Sequence, residues 1–180
     1  TADASAWAGA LASIFALMQF LFGPLLGTLS DRVGRKPVIL ISLIVMVGYY
    51  LIMAVAQTVW LLLIGRIVGG ITAATHATAS AYVADISTSE EKAARFGLVG
   101  AAFGMGFVLG PVLGGLLGEF GPRAPFYAAA ALAALNALSC AIWLRESVTD
   151  DIRQNFDWRR ANPFGAFQAL AKLGGLRDMF

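Results

Sequence analysis

Long apolar runs with almost no charge constrain this chain more than any other feature. Five of them, at about 6–29, 37–56, 59–84, 93–117 and 124–144, match the roughly 20 residues that a helix needs to cross a bilayer. Only 13% of the 180 residues are charged and 58% are hydrophobic, whereas a soluble domain carries about 25% charge. A water-soluble enzyme is thereby excluded, and a net charge of +2 gives no footing for nucleic acid. The single cysteine, Cys140, lies inside an apolar run and offers neither a disulfide nor a metal-ligand pair. Packing is its expected role.

Short turn-like stretches separate the runs: 30–36, 57–58, 85–92 and 118–123. The first and third hold Arg32, Arg35, Lys36, Lys92 and Arg95, the second holds no base and the fourth only Arg123. Positive-inside bias therefore makes the first and third connections cytoplasmic. Arg145, Arg153, Arg159, Arg160, Lys172 and Arg177 put the segment after the fifth run on the same side, with the N-terminus outside. No initiator Met, basic n-region or cleavage pattern opens the chain, so an upstream helix is expected. We divide the chain into a five-span unit at 1–147 and a cytoplasmic linker at 148–180, where Asn162-Pro163 could start a short amphipathic helix carrying Phe164, Phe167 and Leu170.

The first connection carries an acid, Asp31, among Arg32, Arg35 and Lys36. Gly27 would let helices approach closely, Gly34 would permit a turn at positive φ, and Pro37 suits a first helical turn. Taken alone, this is a topology anchor with a local ion pair. The third run contains Arg66, roughly 10 Å below the outer surface at about 1.5 Å per residue. That guanidinium either snorkels to the interface or acts as an internal cation that lowers the pKa of a nearby acid. Glycines 106, 110, 114 and 118 of the fourth run recur at intervals of four, with Gly115 adjacent and Pro111 after Gly110, leaving a smooth groove for a partner backbone. Gln19, His76 and Asn136 stand as candidate cavity residues, with interhelical hydrogen bonding as the alternative.

The string G-x-L-x-D-R-x-G-R-K from Gly27 to Lys36 resembles the loop between the second and third helices of the major facilitator superfamily. The resemblance implies an all-α membrane protein: helices 2–6 of that family's N-terminal six-helix bundle, then the start of its central linker. The first helix and the C-terminal six-helix half would belong to the same protein outside this sequence. By resemblance, Gly27, Asp31, Arg32, Gly34, Arg35 and Asp85 belong to a cytoplasmic gate whose charge relay latches the outward-facing state, and Arg66 to proton coupling. Gly106, Gly110, Pro111, Gly114 and Gly115 resemble the fifth-helix antiporter motif, in which Gly-Pro bends the helix. The nearest subfamily is the tetracycline/H⁺ antiporters, similar in Leu17-Met18-Gln19 and in Arg145-Glu146-Ser147. Those carry an acid beside a tyrosine in their third helix, whereas no carboxylate occurs from Pro37 to Ala56 here.

The function implied is proton-driven export of a small drug-like compound by alternating access, by a multi-pass protein of the cell's inner (cytoplasmic) membrane. The partners are then the lipid bilayer, protons and the substrate, which could arrive as a divalent-metal complex. No cofactor is expected, and no P-loop occurs in the sequence. The alternatives are an uptake symporter, an exporter of sugars or metabolites, and, remotely, an intramembrane enzyme built on His76 and Ser80 at i, i+4.

Overall fold

The computed structural model describes residues 2–149, 153 and 161–163. The amphipathic helix expected around Phe164–Leu170 lies outside the described residues. Up to residue 149 the described residues form six helices in order: α1 (Ala2–Val33), α2 (Arg35–Val55), α3 (Val59–Ala73), α4 (Thr75–Asp85), α5 (Lys92–Gly118) and α6 (Ala124–Trp143). Five membrane-length spans result, because α3 and α4 together make one crossing from Val59 to Asp85. The described residues contain no strand.

Two features differ from the sequence expectation, and a third boundary falls where expected. The first connection shrinks from seven residues to one: helix runs through Asp31 and Arg32 to Val33 and resumes at Arg35, with Gly34 alone between them at φ +120°. Nothing in Ser30–Val33 breaks a helix, and a single glycine in a backbone conformation that L side chains rarely adopt reverses the chain. The third span is interrupted at Ala74, whose N–H donates to both Gly70 O (3.3 Å) and Ile71 O (3.2 Å). The Thr72 hydroxyl also donates to Val68 O and Gly69 O, and such back-bonding competes with regular helix geometry. The fourth span opens on Thr88 and Glu91, each of which accepts a hydrogen bond from the other's backbone N–H, a reciprocal cap of S/T-x-x-E type.

Packing is most extensive between α2 and α6 and between α1 and α3. Ile39 and Leu43 meet Ala137 in a small core flanked by Tyr82, Cys140 and Leu144. Elsewhere the large apolar side chains face outward: Trp60, Leu98, Phe107 and Trp143 are each at least 70% exposed. A soluble protein does not present such a surface, whereas for a helix in hydrocarbon solvent it costs nothing.

Candidate functional site

The arginine that opens α2 organises one end of the bundle. Arg35 is buried although charged. Its Nε donates to Asp85 Oδ2 at 3.0 Å, and Nη1 reaches Ser30 Oγ at 2.6 Å and pairs with Asp31 one helical turn upstream. Ser147 Oγ donates to the same Asp85 oxygen at 3.1 Å. Three elements, the end of α1, the start of α2 and the end of α4, thus converge on one guanidinium with an acid on either side. A buried guanidinium is tolerable only when so paired. Arg32 is exposed and stands outside the network.

Sequence reasoning missed the residue that finishes this end. The start of α2 has no acidic residue and no cap from its own side chains, and it places two cations at the positive end of a helix dipole. The Glu146 carboxylate, from the segment after α6, fills that gap: Oε1 accepts from Arg35 N–H at 2.8 Å and Oε2 from Lys36 N–H at 3.2 Å. A Cβ at Gly34 would collide with this carboxylate, meeting its Cδ at 2.8 Å. Gly34 is therefore needed twice, for its φ and for its lack of a side chain. The signals in the sequence were an acid just past an apolar run and the resemblance of Arg145-Glu146-Ser147 to the antiporters.

Close helix approach occurs in α3, not at the glycines expected to provide it. A Cβ at Gly70 would lie 2.5 Å from Phe15 O, one at Gly69 would strike the Tyr49 ring at 2.8 Å, and one at Gly65 would strike Met53 Sδ at 2.8 Å. Gly27, by contrast, has nothing within 4 Å of such a position among the described residues. These contacts seat α1 and α2 directly on α3 around Arg66. Its guanidinium sits 5.9 Å from the Phe15 ring centroid, within cation–π range. No carboxylate pairs with Arg66 among the described residues.

A cavity of about 430 Å³ opens between α2, the junction of α3 and α4, α5 and α6. His76 and Asn136 both line it, with Thr72 and Ser80 as further polar groups and Phe103 as an aromatic wall. The His76 imidazole stacks on Phe103 at 4.6 Å between centroids and contacts Ser80 Oγ through Nδ1 at 3.2 Å. Gln19 does not join them, being exposed on α1. A second space of about 610 Å³ lies along α5 beside Gly106 and Pro111.

The glycine face of α5 packs against nothing within the described residues. Gly106, Gly110, Gly114 and Gly115 have no atom within 4 Å of an added Cβ, and α5 contains no buried residue. The helix continues through Pro111 as one element.

Residues 2–177 match the family model of the Major Facilitator Superfamily. The chain belongs to that superfamily. Among its relatives are the class C and class B tetracycline resistance proteins of Escherichia coli. The first is 49% identical over 89% of this chain and 40% of its own length, the second 43% identical over 83% and 37%. Multidrug resistance protein 2 of Bacillus subtilis is 38% identical over 81% of this chain and 36% of its own. The crystal structure of the human organic anion transporter MFSD10 (TETRAN) superposes with a TM-score of 0.74 at 33% identity, covering 81% of this chain and 34% of that one. The chain thus spans about 40% of the length of its first curated relative. His76 with Ser80 forms no ion pair with a carboxylate among the described residues.

Proposed function

We propose that this chain forms most of the N-terminal half of a proton-coupled exporter of small drug-like compounds. The reading is carried by one observation: Arg35 holds the acids Asp31 and Asp85 together at the end of the bundle rich in Lys and Arg, in a chain whose relatives are named for drug resistance. In this account that end is cytoplasmic. The cluster is a gate that ties α1, α2 and α4 together when the cavity faces outward, and it opens as the two halves rock past each other.

The cavity bearing His76 and Asn136 is the share of the substrate site that this half supplies. Its mixture of an aromatic wall and a few hydroxyl and amide groups suits a largely apolar ligand with scattered polar atoms. Tetracycline, alone or with a divalent metal, is the first candidate, because the relatives are named for resistance to it. Arg66 is the coupling cation: half-buried beside Phe15 of α1, it would hold the pKa of a membrane acid low enough to release a proton. The exposed glycine face of α5 receives helices of the other half. Everted vesicles holding the full-length protein test this reading. An imposed proton gradient should drive uptake of labelled tetracycline or another member of a drug panel, and a protonophore should abolish it; gradient-independent accumulation would contradict the proposal.

A further inference from the structure

Glu146 and Lys36 exchange caps between two helices. While the Glu146 carboxylate holds the first N–H groups of α2, Lys36 Nζ donates to Ala141 O in the last turn of α6 at 3.1 Å. A negative group thus sits at the positive end of one helix dipole and a positive group at the negative end of the other. Glu146 Oε1 also accepts from the N–H of Ser147 (3.0 Å) and of Val148 (3.1 Å). These bonds curl the segment leaving α6 back onto the bundle, so that Ser147 reaches Asp85 and Val148 is buried.

The consequence falls on Arg35. Its backbone N–H is held by Glu146 and its side chain spans Asp31 and Asp85, so the position of the guanidinium depends on where the first turn of α2 is fixed. We propose that Glu146 is a positioning residue of the gate, holding Arg35 between its two acids and wiring the chain segment after α6 to the gate's closed state. Pulling that segment away from α2 removes the cap and the Ser147 contact together, and the ion pairs loosen with them. The inference rests on the gate reading of Asp31, Arg35 and Asp85.

Cys140 supplies the readout, since it lines the cavity one turn before α6 ends. In inside-out vesicles of the full-length protein keeping Cys140 as its one cysteine, the labelling rate by a membrane-impermeant maleimide reports opening at the cytoplasmic face. Loss of hydrogen bonds to a charged group should accelerate labelling about fivefold to tenfold in Glu146→Gln and Glu146→Ala. Glu91→Gln, on the surface pair with Arg95, should leave it unchanged. Glu146→Gln is nearly isosteric and decides the matter if the alanine variant does not accumulate in membranes. Wild-type labelling in Glu146→Gln alongside accelerated labelling in Asp85→Asn would overturn the positioning role and leave the gate standing. Wild-type labelling in Asp85→Asn itself would overturn the gate reading, and the role of Glu146 with it.

Discussion

Arg35 and Asp85 lie 50 residues apart in sequence, yet Nε of one donates to Oδ2 of the other at 3.0 Å. This bond joins the start of α2 to the end of α4, and with Asp31 on the other side it makes the guanidinium the one group common to three helices. Breaking such a largely buried pair from one side leaves a charge uncompensated, which costs about 3–5 kcal/mol in a dry site and less here, where water reaches Asp85.

Asp85→Asn and Arg35→Ala should each lower drug transport about tenfold to a hundredfold, and the double variant should be little worse than either, because both remove the same interaction. Transport rates normalised to protein in the membrane check this. Additive losses would mean the two residues act separately.

Gly34→Ala should destabilise the protein by about 1–3 kcal/mol through backbone strain, before any collision with Glu146 is added. Thermal unfolding in detergent measures the effect. Pairing Gly34→Ala with Glu146→Ala should relieve only the collision, leaving the strain.

Gly70→Ala sets a methyl group against backbone, the Phe15 carbonyl, which cannot swing aside as a side chain can. An overpacking cost of about 1–3 kcal/mol is expected. Gly110→Ala meets nothing in this half, so it should leave this half's stability intact. In the full transporter Gly110→Leu should reduce flux, since the account places a partner helix there; unchanged flux would remove the α5 glycines from the mechanism.

The Glu91 carboxyl is held below its ordinary value of 4.5, chiefly by hydrogen bonds with Thr88 and then by the charge of Arg95. A depressed folded-state pKa stabilises the fold above the unfolded value, and that contribution fades as pH falls through the folded one. Melting curves of the wild type and Glu91→Gln should therefore differ slightly near neutrality and converge in acid. The group is fully exposed, so the gap should be small.

The spans were legible because hydropathy and charge vary along the chain on the scale of a bilayer. The meeting of Asp31, Arg35 and Asp85 was expected only through resemblance, and the structure brings them together. What escaped the sequence depends on three-dimensional neighbours. Glycine spacing singled out α5, yet close approach falls at Gly65, Gly69 and Gly70, because what a glycine admits depends on the opposing helix rather than on its own repeat. The capping role of Glu146 escaped because a cap supplied across 111 residues leaves no local pattern. The break at Ala74 escaped because alanine favours helix and the interruption comes from the Thr72 hydroxyl and the tightened turn around it.

Proton release on addition of substrate tests the central claim most directly. In energised everted vesicles containing the full-length protein, a pH-sensitive dye should report proton efflux when tetracycline with magnesium, or another compound of the panel, is added. Arg66→Ala, inserted at wild-type abundance, should abolish the signal. A substrate carried without proton movement, or a signal undiminished in Arg66→Ala, would contradict the account.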